Sequence, residues 1–494
     1  MTADLYRLAM AVLQPGYAGT SVPDWMRKAL GQGLGGVVLF ARNAPSAQVV
    51  QQIRAENPAA VVAVDEEGGV VTRFEVSSGS SFPGNRALGV VDDVALTERV
   101  ARQIGRMLAR ADVTLDYAPA ADVNANPANP VIGVRSFGPT ADLVARHTVA
   151  YVNGIQGAGV AACAKHFPGH GDTVTDSHLE LPTVHASRDT LFARDLPPFQ
   201  AAIAAGVRSV MCGHLLVPAL DPDSPATLSR TILTELLRGE LGFDGMLVTD
   251  AIEMRAVAAR FTPGEITARA LAAGVDAVCV GLTTEQSLYE IRDAIVAAVR
   301  SGSLSEERLA EAGARVHALA SWYGEQAALR AADSDSDADD ADAHVGLDAA
   351  RAALTVTGSA TLTRGPLVVE VNTRLSQAVD PGTPAGVTAA LTALLPDTAR
   401  VQLEPGGPLP RLGPGLAAGA GLGSGAAQRP VVLVVHDAAR HPWVQDRVAQ
   451  AVQERPDVII VDTGIPDAPS GAAHLATHGI SRVSAQAVAE WLTS

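Results

Sequence analysis

The stretch "GVAACAKHFPGHGDTVTDSH" (159–178) changes character partway along. Its first half is an apolar run of small and β-branched residues, the pattern of a strand buried on both faces. From Lys165 onward, His166, His170, Asp172, Asp176 and His178 follow in close succession. Polar side chains crowded at the end of a buried strand belong at the mouth of a parallel α/β sheet, where such folds build their sites.

Working outward, further short apolar runs lie at 10–13, 36–40, 61–64, 114–117, 209–212, 246–249 and 277–280, with 160–164 among them. Most are separated by segments long enough for a crossover helix. Alternating β and α units imply a parallel sheet, and eight of them predict a (β/α)8 barrel of the TIM type. An open doubly wound sheet is the alternative. Gln14-Pro15 directly after the first run makes that strand the least marked of the eight.

Helical patterning ends near Arg330, and "AADSDSDADDADAH" (331–344) follows. Closely spaced aspartates bury nothing and repel one another, so this segment reads as a solvated linker. Beyond it, 366–371, 431–435 and 458–461 read as buried parallel strands of a second, smaller α/β domain with a mainly parallel sheet. The expected division is 1–330 for the barrel, 331–344 for the linker and 345–494 for the smaller domain. The Gly/Pro/Ala-rich excursion at 404–430 sets no glycine fingerprint between a strand and a helix, so no nucleotide site is expected there.

Composition narrows the class. Of 494 residues, 47% are apolar and only 4% aromatic, which suits a packed α/β enzyme. The formal charge of −16 argues against nucleic acid or an anionic membrane as partner. No apolar run reaches membrane-spanning length, and the first residues show no signal-peptide pattern. Cys163, Cys212 and Cys279 each lie in a strand-like run and read as free thiols of a reducing compartment, so a cytoplasmic location is expected. No feature calls for a metal or organic cofactor, and the oligomeric state is not encoded in any pattern found.

On a barrel, residues just after each strand line one rim. The third strand leads to Asp65 and then Arg73, the fourth to Arg135, the fifth to Lys165 and His166, the sixth to His214 and the seventh to Asp250. Each has a plainer reading. Asp250 suits a helix N-cap; Asp65, Arg73 and Arg135 suit rim ion pairs; Lys165 and His166 suit a solvated strand end; His214 suits a satisfied structural histidine.

The polar loop itself admits several chemistries. Its imidazoles and carboxylates are metal-ligand types, but the His166/His170 spacing serves one ion only on a helical face, which Phe167-Pro168-Gly169 forbids. Lys165 and the glycines are the parts of a phosphate cradle. Asp176 and His178 form a proton-transfer pair if the carboxylate fixes one ring nitrogen and leaves the other for substrate. An imidazole's ordinary pKa of about 6.5 suits that task. Asp250 at a rigid strand end would be the ionised partner.

"KHFPGHGDTVTDSH" (165–178), with "AVDEEGG" (63–69), "VIGVRSFG" (131–138) and "PATLSRTILTELLRGELGFDGMLVTDAIEM" (225–254), resembles glycoside hydrolase family 3, in its bacterial β-N-acetylglucosaminidase (β-hexosaminidase) branch. The resemblance runs through residues 5–320, and "LATHGISRVSAQAVAEWL" (475–492) is similar to the end of two-domain members. It implies the same barrel, and hydrolysis of terminal β-linked N-acetylglucosamine from cell-wall-derived or oligosaccharide substrates with retention. By the same resemblance Asp250 is the nucleophile, and His178 with Asp176 is the acid–base pair. Asp65, Arg73, Arg135, Lys165 and His166 would hold the sugar. Relatives commonly read DQEGGR where this chain has Asp65-Glu66-Glu67-Gly68-Gly69-Val70. The alternatives are a phosphorylase, which uses phosphate in the second step, and a catalytically silent sugar-binding protein.

Overall fold

Eight strands with no exposed residue build the core of the first unit: β1 (Leu13–Pro15), β2 (Gly36–Leu39), β3 (Val61–Val64), β4 (Leu115–Asp116), β5 (Ala161–Phe167), β6 (Ser209–Cys212), β7 (Met246–Thr249) and β8 (Val278–Val280). The computed structural model describes residues 2–332, 342–373, 376–405, 407–410, 412 and 429–494. Strands β2 to β7 pair in chain order, every pair parallel. β8 pairs in parallel with β1, Ala277 bridges Val248 of β7, and β1 lies against β2. The ring so formed is the TIM-type barrel, not the open sheet.

Residues two apart on one strand share a face, and the interior follows that period. Val61 and Ala63, Leu115 and Tyr117, Ala161 and Cys163, and Ala277 and Cys279 join one buried cluster, which Val316 and Leu319 of the helix Glu306–Ala332 complete. Tyr117 brings the one phenol there, and its hydroxyl donates to Gln14 Oε1 at 2.6 Å. Just before β8, the fully buried Asp276 accepts from Leu247 N–H at 2.9 Å and from Arg308 at 2.6 Å. That tie fastens the long helix to the strand starts, the face of a barrel concerned with stability.

The second unit has a six-stranded sheet ordered β11-β10-β12-β13-β14-β9. Its strands are β9 (Thr355–Gly358), β10 (Leu367–Val371), β11 (Ala399–Leu403), β12 (Val431–Val435), β13 (Ile459–Asp462) and β14 (Ala473–Ala476). All neighbours are parallel except β14 and β9, so the sheet is mainly parallel, as the sequence predicts. Alternate residues of β10 and β12 feed two cores, one on each face.

Two expectations need correction. The first strand is Leu13–Pro15 and not 10–13, because residues through Ala11 close the helix Thr2–Ala11. Pro15, which follows the predicted strand in sequence, is instead the last residue of the observed one. The division between units is not continuous either: Gly68–Asp92 and Gly133–Arg135 belong to the second unit with Ala343–Ser494. The cause is apolar, since Val70, Val71 and Val134 share a buried cluster with Val379 and Ile480. Most of the 331–344 linker and of the 404–430 excursion lies outside the described residues.

Candidate active site

β5 runs past its apolar stretch and carries Lys165 and His166 within the strand. They are therefore not the solvated strand end of the plainer reading. Lys165 is 1% exposed, and a buried ammonium is tolerated only beside carboxylates. Its Nζ lies 2.7 Å from Asp65 Oδ1 and 2.7 Å from Glu67 Oε1, both from the segment after β3. Those carboxylates cancel the charge that a phosphate cradle would need.

His166 is held by Asp122, a residue with no exposed surface. Asp122 Oδ2 lies 2.8 Å from His166 Nδ1, while Oδ1 accepts the backbone N–H groups of His166 at 3.2 Å and His170 at 2.7 Å. Burial works to raise the Asp122 pKa, but the two imidazoles and these hydrogen bonds hold it below the ordinary value. An ionised Asp122 assigns the proton to Nδ1 and leaves Nε2 of His166 uncommitted to it.

His170 serves the loop rather than an ion. Its Nδ1 lies 2.8 Å from Thr173 Oγ1 and its Nε2 3.1 Å from Ser177 Oγ, and burial lowers its pKa to about 4. Asn129 Nδ2 donates to the His170 carbonyl at 2.8 Å. Next to it, a Cβ on Gly171 would sit 1.8 Å from Val123 O, so only glycine lets the loop pass that backbone. Asp172 pairs with Arg194 at 2.9 Å. With these groups spent on protein partners, no three His, Cys, Asp or Glu side chains gather as a metal site among the described residues.

The loop ends in the pair that the sequence singles out. His178 Nδ1 lies 2.7 Å from Asp176 Oδ1, and the same oxygen accepts the His178 backbone N–H at 2.9 Å. Asp176 is mostly buried; burial works to raise its pKa, but the hydrogen bonds from His178 bring it below the ordinary value. Ala256 N–H donates to Ser177 O at 3.3 Å and ties this loop to the segment after β7.

Asp250 follows β7 directly. Its N–H donates to Cys212 O at 3.0 Å, and its Oδ1 accepts the Ala251 N–H at 2.8 Å. No helix is capped by it, because the next one, Arg255–Ala258, has Met254 at its N-cap. Burial works to raise the Asp250 pKa, yet the imidazoles of His166, His214 and His178 and the Ala251 N–H hold it below the ordinary value. His214 has both ring nitrogens engaged, Nδ1 2.8 Å from Thr227 Oγ1 and Nε2 3.0 Å from Ala251 O, as a structural histidine should. It nevertheless adds to the field at Asp250.

The first unit thus brings Asp65, Lys165, His166, Asp176, His178 and Asp250 to the carboxyl ends of its strands. Arg73 and Arg135 belong to the second unit. There Arg73 Nη2 donates to Ala378 O at 3.0 Å, and the buried Arg135 offers its carbonyl to Asn85 Nδ2 at 2.7 Å. Sequence reasoning missed Asp122 and Glu67. The only signal for Asp122 is its place, an acid at the exit of the fourth strand segment; Glu67 is half-visible as the second acid of "DEEGG".

Comparison with known proteins bears on the family. The family described as Glycosyl hydrolase family 3 N terminal domain matches residues 23–319. Beta-hexosaminidase A of Pseudoalteromonas piscicida is 36% identical over 321 residues, which cover 58% of this chain and 53% of the relative. The chain therefore spans about half the length of that curated relative. A beta-hexosaminidase of Stenotrophomonas maltophilia (strain K279a) is 38% identical over 283 residues, 54% of this chain and 82% of the relative. Among solved structures, a glycoside hydrolase family 3 beta-N-acetylglucosaminidase from Paenibacillus sp. str. FPU-7 superimposes with a TM-score of 0.85 at 33% identity, covering 99% of this chain and 96% of that one. The chain belongs to glycosyl hydrolase family 3.

Proposed function

We propose that this chain is a retaining β-N-acetylglucosaminidase that releases terminal β-linked N-acetylglucosamine, with fragments of bacterial cell wall as the natural source and the cytoplasm as the site of action. The observation that carries the reading is Asp250 directly after β7, its N–H bonded to Cys212 O and its Oδ1 accepting the Ala251 N–H, together with the His178–Asp176 pair on the loop after β5. The hexosaminidase names of the relatives support the substrate class.

In the first step an Asp250 oxygen attacks the anomeric carbon. The glycosidic C–O bond breaks as the proton on His178 Nε2 passes to the leaving oxygen, giving a glycosyl ester. Asp176 steadies the imidazolium through Nδ1 and fixes the ring. In the second step water attacks the same carbon and gives its proton to Nε2, and the ester bond breaks to restore the Asp250 carboxylate. Two inversions leave the configuration retained. Asp65, Lys165 and His166 hold the sugar's hydroxyls and N-acetyl group. Lys165 keeps Asp65 in place, and Asp122 presents the His166 ring.

One observation favours a second reading, a phosphorylase. The acid–base group is an imidazole, which does not repel an incoming phosphate as a carboxylate would. An NMR time course on a β-N-acetylglucosaminide in phosphate buffer separates the readings. Free sugar appearing first as the β-anomer supports hydrolysis with retention; sugar 1-phosphate replaces that proposal with the second; no product at all leaves a silent sugar binder.

A further inference from the structure

The second unit contains a cavity of about 570 Å³ at the carboxyl ends of β10 and β12. Here the strand order turns, with β11 on one side of β10 and β12 on the other. The two connections diverge at such a point, and the crevice between them is where open parallel sheets seat their ligands. The volume falls within the roughly 300–1,000 Å³ of small-molecule sites.

The lining selects among ligand chemistries. Glu370 and Arg400 face each other, with Arg400 Nε 2.6 Å from Glu370 Oε2, and Thr388 Oγ1 donates to Glu370 Oε1 at 2.6 Å. Their charges cancel. Of the remaining described lining groups, Asp380 is an acid, Asn372, Gln377 and Gln402 are amides, Thr383 is one of several hydroxyls, and the His436 ring is engaged, Nδ1 3.2 Å from Thr463 Oγ1 and Nε2 3.5 Å from Asp437 Oδ2. Thr383 is 7% exposed, and its Oγ1 is buried without a hydrogen-bond partner among the described residues. A buried hydroxyl is seldom left so unless something else completes it.

We infer that this cavity is a second binding site, for a neutral polyhydroxylated ligand of mono- or disaccharide size. Of its described lining, Arg400 is paired with Glu370 and the His436 ring with Asp437, and Asp380 repels a phosphate. It has no Phe, Tyr or Trp on which a nucleobase would stack. Amides and hydroxyls pair in both directions with sugar hydroxyls, while Val371, Val379 and Val435 supply apolar wall for the ring. None of these residues has a role in the proposed hydrolysis, so the inference does not rest on that reading.

Gln402→Cys in the full chain provides the test, because Cys163, Cys212 and Cys279 are all buried and leave one reactive thiol. The probes are glucose, N-acetylglucosamine and their β-1,4-linked disaccharides, against AMP and inorganic phosphate. A saccharide should slow maleimide labelling roughly tenfold at ten times its dissociation constant. AMP and phosphate should not. Thr383→Val in the same background should weaken the protection about tenfold, the worth of one buried hydrogen bond, with nitrophenyl N-acetylglucosaminide hydrolysis unchanged. Asp250→Asn, which stops turnover, should leave the protection intact, so failure of the hydrolytic proposal reads out separately. Protection by AMP or phosphate in preference, protection indifferent to Thr383→Val, or none up to about 50 mM saccharide overturns the inference. Ser376→Cys, on another wall of the cavity, serves if Gln402→Cys folds poorly.

Discussion

Asp122 grips His166 twice, at the ring through Oδ2 (2.8 Å) and at the backbone through Oδ1 (3.2 Å). The carboxylate thereby decides which ring nitrogen carries the proton. Asp122→Asn keeps the shape but turns an acceptor into a donor or removes it, and the His166 ring must change tautomer. We expect kcat/KM to fall roughly 10²-fold or more with the fold retained, which circular dichroism and steady-state assays on one sample will read. A variant within twofold of the parent would deny Asp122 its positioning role.

His178→Ala removes the proton donor. The loss should be about 10²–10⁴-fold on natural disaccharides and far smaller on nitrophenyl glycosides, whose leaving group needs no proton. Comparing the two substrates checks this. Equal losses on both would mean that His178 is not the acid.

Lys165→Met withdraws the buried ammonium from between Asp65 and Glu67. Breaking a buried ion pair from one side costs on the order of 3–5 kcal/mol. The midpoint of urea unfolding should drop accordingly, and Lys165→Arg should not restore it fully because the guanidinium needs more room. A shift under about 1 kcal/mol would class the pair with surface bridges.

His170 gives a dependence on pH with a definite sign. In the native loop burial lowers its pKa to about 4, against an ordinary 6.5. Between those values the unfolded chain binds more protons, so stability is lost as pH falls through this window. The single group contributes up to about 3 kcal/mol. His170→Gln should flatten the unfolding free energy between pH 6.5 and 4 relative to the parent. Parallel curves for the two proteins would contradict the assignment.

Much of this was legible beforehand, for a physical reason. β6, β7 and the first half of β5 are short, mostly apolar runs, and a strand buried on both faces has that appearance whatever surrounds it. β1 hides because Met10 and Ala11 finish a helix while Gln14 and Pro15 complete the strand. β9 and β11 hide because they lie at sheet edges with exposed residues and lack a long apolar run. The polar loop announces its chemistry through residue types, and Asp176 and His178 meet because they are two apart. Asp122 and His166 are 44 apart, and no local pattern encodes a distance of that kind. Likewise Val70, Val71 and Val134 read as buried, but their sequence does not say against which unit.

The account's central claim is a transient ester on Asp250. It is tested most directly by incubating the protein with a slow fluorinated N-acetylglucosaminyl fluoride, quenching in acid, and measuring intact mass followed by peptide mapping. The account predicts one added glycosyl unit, on the peptide containing Asp250, and none in Asp250→Asn. Turnover without any adduct, or a label on another side chain, would contradict it.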